Sequence, residues 1–178
     1  MQCSSLRAVR LYAVLALALL PYAAQAKHVP NLSFRDLDGH PQKLAALQGS
    51  ISVVSFWATW CGPCRMELPR LSALAQQYAA QGVRFVAISI DEQKDRAKVG
   101  PYVTQQKFKM DIWLGGDTDM LARVGLGDIV PGTLILDQQG EIVDRIMGEA
   151  REEDVRSSLD WLLHGKQGPA PKPLIKRY

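Results

Sequence analysis

Hydrophobic and polar positions alternate along this chain with two different periods. Ile51 to Ala58 (ISVVSFWA) is a nearly continuous apolar run, the pattern of a strand covered on both faces of a sheet. From Pro63 the spacing becomes helical. Leu68, Leu71, Leu74, Ala75 and Tyr78 share one face, Gly82 reads as a stop, and Pro69 predicts a kink inside the helix. Val83 to Asp91 (VRFVAISID) predicts a second buried strand, followed by a polar helix over about 95–107 that Gly100-Pro101 interrupts. Asp111 to Leu114 reads as a short strand, and Asp117-Thr118 as the cap of a helix running to Val124. Leu134 to Leu136, a turn at Asp137 to Gly140, and Ile142, Val143 and Ile146 predict a hairpin. A final helix from Glu152 to Leu163 carries Val155, Leu159, Leu162 and Leu163 on its apolar side. Before all of these, Asn31 to Asp36 predicts a strand, Asp38-Gly39 a turn, and Gln42 to Leu47 a short amphipathic turn. Strands alternating with helices imply an α/β fold with a mixed central sheet flanked by helices.

The two ends differ from this middle. Arg7 and Arg10 form a basic start, Leu11 to Leu20 an apolar stretch, and Ala24-Gln25-Ala26 a cleavage signature, so residues 1–26 read as a secretory leader cut after Ala26. An uncleaved membrane anchor is the alternative, but the apolar stretch is short of the roughly 20 residues that span a bilayer. Cys3 lies in the basic part of the leader, far from the cut, and does not read as a lipid-modified cysteine. Residues 27–164 form one domain, and residues 165–178 (GKQGPAPKPLIKRY) read as a disordered, basic, Pro-rich tail.

Charge narrows the function only slightly. Removing Arg7 and Arg10 from 21 basic residues leaves 19 against 18 acidic ones, and no basic stripe with interleaved aromatics is present. Nucleic acid is therefore not an expected partner.

The chemistry lies in Cys61 and Cys64, two residues apart where the first buried strand meets the first helix. Crevices at the carboxyl ends of strands are the usual place for chemistry in open α/β sheets. A structural staple is a poor reading, because so short a loop barely restricts the unfolded chain. Zinc requires four ligands, and His28, His40 and His164 are scattered, so no metal site is expected. Two thiolates alone can still hold Cu(I), which keeps a non-enzymatic copper carrier as an alternative. In disulfide exchange the thiolate reacts, and the free amides at the start of the helix favour an anion at Cys61. Cys61 is thus the expected nucleophile and Cys64, one turn further in, the resolving thiol. Gly62 and Pro63 form a tight turn between them, with Pro63 near the first helical position where no N–H is needed. Glu67 lies three residues past Cys64. It is either a proton acceptor for Cys64 or an exposed carboxylate favoured by the helix dipole. Pro131, after Val130, opens a strand-like segment, and composition alone argues for a trans bond there.

The stretch FWATWCGPC, Pro69 five residues after its second cysteine, and VPGTLILDQQGEIV together resemble the thioredoxin superfamily. The nearest types are TlpA-like and ResA-like exported thiol-disulfide oxidoreductases, including the cytochrome c maturation reductases. The resemblance covers about residues 31–163. It implies a thioredoxin-like fold in which a helix and strand between Asp95 and Leu114 form an extra insertion. It also implies that Cys61 attacks, Cys64 resolves and Glu67 moves the proton. Substrate would contact Trp60, Gly62, Pro63, Val130 and a cis Pro131. A periplasmic reductase acting on client disulfides follows by resemblance, as a monomer re-reduced by a membrane electron-donor protein and without a cofactor. A disulfide oxidant or isomerase on the same fold is the third reading. Two positions depart from the pattern: Ser55 replaces thioredoxin's buried aspartate, and Gly132 follows Pro131 where threonine is expected.

Overall fold

The computed structural model describes residues 28–177; the expected leader lies outside them. One mixed sheet carries the molecule. Its strands are β1 (Ser33–Asp36), β2 (Pro41–Lys43), β3 (Ser52–Trp57), β4 (Arg84–Ser89), β5 (Asp111–Leu114), β6 (Gly132–Leu136), β7 (Ile142–Gly148) and β8 (Ile175–Arg177). Their spatial order is β2-β1-β5-β4-β3-β6-β7-β8. The pairs β3–β4, β4–β5 and β7–β8 run parallel, and the others antiparallel. Among the described residues four α-helices accompany the sheet: α1 (Gly62–Tyr78), α2 (Val99–Gln106), α3 (Thr118–Arg123) and α4 (Glu152–Leu163).

β3 is buried along its whole length, as its apolar run predicts, and its side chains alternate between two cores. Val54 and Phe56 point to one side, where Leu121 of α3 and Leu44 and Leu47 pack with them. Val53 and Trp57 point to the other, under α1, α2 and α4. On that side Leu71 and Leu74 of α1 meet Val155 and Leu159 of α4. The helical period of the sequence thus matches the pleat of the sheet beneath it.

Local signals explain the element ends. Gly82 takes a left-handed φ of +74° just after α1 and its closing 3-10 turn, as a glycine stop does. α1 continues through Pro69. The helical segment starts near Asp95 as expected, with a 3-10 turn over Arg96–Lys98 that runs into α2 at Val99; Pro101 sits in the first turn of α2, where amide donors have no helical partner, so the helix tolerates it. Asp137 organises the β6–β7 turn by accepting the amides of Gln139 and Glu141 at 3.0 and 2.9 Å.

The tail requires a correction. Residues 175–177 form β8, with Ile146 opposite Ile175 and Gly148 opposite Arg177. Arg177 Nη2 donates to both carboxylate oxygens of Asp154 on α4, at 2.8 and 2.7 Å. A Pro-rich composition cannot build its own core, but a strand that borrows an existing ladder needs only a few residues and one anchor.

Candidate active site

Cys61 lies immediately before α1 as its N-cap, and Cys64 lies in the first turn. The two are joined as a disulfide, with their Cα atoms 5.3 Å apart. Cys61 keeps 5% of its surface exposed, whereas Cys64 is fully buried. The Cys64 amide donates to Cys61 Sγ at 3.2 Å, so sulfur takes the place of the usual side-chain oxygen at a helix N-cap. Pro63 stands at the helix start, where its missing N–H costs nothing. An anion formed at Cys61 would meet this amide and the positive end of the helix dipole.

The Val130–Pro131 bond is cis, as the resemblance implies and contrary to the trans bond that composition favours. The Val130 carbonyl oxygen lies 3.7 Å from Cys61 Sγ. Trp60, 65% exposed, immediately precedes Cys61 in the chain, and Met66 and Ile129 are further exposed apolar side chains. Behind the disulfide lies an apolar bed of Trp57, Ala58, Leu68, Ala87, Val99, Val103 and Ile112. Tyr102 of α2 packs on Trp57 with ring centroids 5.5 Å apart, so the inserted helix supports the floor of the site.

Glu67 is buried, which excludes the exposed-carboxylate reading. Its Oε1 accepts from the Ser55 hydroxyl at 2.8 Å and the Thr133 hydroxyl at 3.3 Å, and its Oε2 from the Ala150 amide at 2.6 Å. Burial pushes the carboxyl up to about 7, although these three donors favour the anion and pull the other way; the charge of Glu149 adds to the rise. Gly132 is explained by packing. A Cβ there would come within 3.2 Å of the Leu126 side chain, and the next residue, Thr133, faces Glu67.

Sequence reasoning misses Asp91. This fully buried carboxylate at the end of β4 accepts from the Thr59 amide at 3.0 Å, the Thr59 hydroxyl at 2.6 Å and the Ser89 hydroxyl at 2.8 Å. It ties down the turn that leads into Cys61. Only its place at the end of a buried strand hints at this. The three histidines have partners elsewhere: His28 beside Glu141 and Gln48, His40 beside Asp36, and His164 on the Asp160 carbonyl.

Residues 26–145 match the model of the AhpC/TSA family. The chain belongs to that thioredoxin-like family. It is 30% identical over 133 residues, 75% of each chain, to the thiol-disulfide oxidoreductase ResA of a Bacillus cereus strain. Among solved structures it resembles a thiol:disulfide interchange protein of the thioredoxin family from Chlorobium tepidum TLS. There the identity is 27%, the TM-score 0.65, and the coverage 79% of this chain and 98% of that one. A secreted Mycobacterium tuberculosis disulfide oxidoreductase homologous to E. coli DsbE matches with 25% identity and a TM-score of 0.54, over 63% of this chain and 80% of that one. With a Cys61–Cys64 pair at the head of α1, this AhpC/TSA member is a thiol-disulfide oxidoreductase on a thioredoxin fold.

Proposed function

We propose that this protein reduces disulfides in client proteins outside the cytoplasm. The observation that carries the reading is the asymmetry of the pair: Cys61 keeps some exposure at a helix N-terminus beside Val130, while Cys64 is fully buried, one helical turn before the buried Glu67. In the reduced protein, the Cys61 thiolate attacks one sulfur of a client disulfide. That S–S bond breaks, a client thiolate leaves, and a mixed disulfide forms. Cys64 then gives its proton to Glu67 and attacks Cys61 Sγ, releasing the second client sulfur as a thiolate. The client gains two electrons and the Cys61/Cys64 pair loses two. A dithiol donor must restore them, which in an exported protein implies a membrane electron-donor protein.

Trp60 and Ile129 offer apolar contact to a client segment, and the backbone at Val130, with Pro131 cis, offers it an extended docking edge. Glu67, with a carboxyl near 7, is suited to take a proton at neutral pH. The sequence Gly62-Pro63 between the cysteines, with no histidine there to overstabilise the thiolate, supports a reductant rather than an oxidant. The leader-like residues 1–26 support export to a periplasm, and no described helix is long and apolar enough to cross a membrane. Apocytochrome c is the client class suggested by the resemblance of the motifs to cytochrome c maturation reductases.

The reduction potential of the pair tests this reading, by equilibration with thiol buffers of defined ratio. A value near about −270 mV supports the reductase, and one near about −120 mV makes the protein a disulfide donor instead.

A further inference from the structure

Three consecutive residues link the parts of the site that the cysteines do not. Gly148 donates its amide to the Pro131 carbonyl at 2.9 Å. Glu149 pairs with Arg70 of α1. Ala150 donates its amide to Glu67 at 2.6 Å. This short segment therefore touches the cis-proline loop, the outer face of α1 and the buried acid in turn. It also lies beyond the residues matched by the family model.

β8 is seated on the first of the three. Gly148 has a left-handed φ of +88°, and a Cβ at that position would overlap the Arg177 carbonyl and lie 3.1 Å from the Arg177 Cβ. The glycine leaves room for β8 to pass at backbone distance. Three ladder residues do not hold a strand by themselves. The anchors are Ile175, packed against the core beneath α4, and the Arg177–Asp154 ion pair, in which Nη2 reaches both carboxylate oxygens and the side chains are only 27% and 13% exposed. Hydrogen bonds between charged partners of this kind are shorter and stronger than neutral ones. Asp154 belongs to the first turn of α4, which starts two residues after Ala150. The segment 148–150 is thus held at its near end by the backbone of β8 and at its far end by the Arg177 side chain.

We propose that Arg177 is a positioning residue for Glu67: by pinning β8 against Gly148 and the start of α4, it keeps the Ala150 amide within reach of the buried carboxylate. The inference rests on the proton-acceptor reading of Glu67 for its functional meaning. Its structural content is independent of that reading. The groups that face Glu67 are few. Cys64 lies one turn before it and Arg70 one turn after it on α1, Glu149 comes from the 148–150 segment, and β3 and β6 contribute the hydroxyls of Ser55 and Thr133. Among the donors, the Ala150 amide alone depends on a segment outside the sheet.

The test is a carbon-13 NMR titration of the Glu67 carboxyl in the oxidised protein, with amide hydrogen exchange at Ala150, for Arg177→Ala, Arg177→Lys and Asp154→Asn. Losing a donor to the anion raises the midpoint. Arg177→Ala and Asp154→Asn are both expected to move it upward by about half a unit, a roughly threefold change in proton affinity, and to speed Ala150 exchange. Arg177→Lys is expected to fall between them and the parent. The two charge changes have opposite signs, so an effect of charge through space alone would shift Arg177→Ala and Asp154→Asn in opposite directions. That outcome overturns the proposal, as does an unchanged midpoint with unchanged exchange. Glu67→Gln, assayed for mixed-disulfide resolution, separates the two readings: unaffected resolution removes Glu67 from the mechanism without touching the Arg177 result.

Discussion

The Ser55 hydroxyl, in the middle of β3, donates to Glu67 Oε1 on α1 at 2.8 Å. Ser55 of β3 thus supplies a small donor to an acid carried by α1. Ser55→Ala is expected to remove one partner of the anion and raise the Glu67 midpoint above about 7, so that resolution of the mixed disulfide needs a higher pH. A pH–rate profile of resolution checks this, and Thr133→Val should shift it the same way by less, because its bond is longer.

Stability should also respond to pH through Glu67. Its carboxyl binds a proton more tightly in the folded protein than in the unfolded chain. The associated stability is therefore present in full below about 4.5 and lost as pH rises through about 7. A rise of that size corresponds to an order-of-magnitude loss of about 3 kcal/mol. Urea unfolding of the oxidised protein across that range should show the decline, and Glu67→Gln should flatten it.

Substituting each cysteine separates their roles. Cys64→Ser should accumulate a mixed disulfide between Cys61 and a client protein, and Cys61→Ser should accumulate none. Mass spectrometry after acid trapping reads both. Capture of clients by the Cys61→Ser protein would reverse the assignment.

Much of this site is legible in the sequence. The buried strand, the switch to helical period and the Cys61/Cys64 spacing are strong local signals, and they meet at one junction. Glu67 is legible only as a residue near Cys64, because its burial depends on Ala150, which is 83 residues away. The same distance effect hides Asp91, whose partner Thr59 lies 32 residues earlier on a different strand end. Local pattern misleads for β8, since Pro and Lys dominate the segment while Ile175 and Arg177 find their partners across the sheet and on α4.

The Asp91 anchor can be probed from its partner. Thr59→Val removes the hydroxyl that reaches Asp91 at 2.6 Å and frees the turn before Cys61. Cys61 should then lose part of its contact with the helix N-terminus, so its thiol should titrate higher and react more slowly with iodoacetamide at neutral pH. Thr59→Ser should retain the parent rate.

Packing beneath the disulfide supports a last expectation. Leu68 is fully buried in the cluster that holds both cysteines. Leu68→Ala should destabilise the protein by about 2–5 kcal/mol, measured by denaturant unfolding.

The borders of the sheet have a consequence of another kind. A protein that docks extended client segments, as proposed above, risks pairing with them, or with itself, wherever a strand edge stands open. Here each border is a strand of only three residues, β2 opening on Pro41 and β8 following a Pro-rich stretch. Neither offers a long ladder on which a second chain could grow. The backbone at Val130 can therefore be sticky while the rest of the sheet resists aggregation.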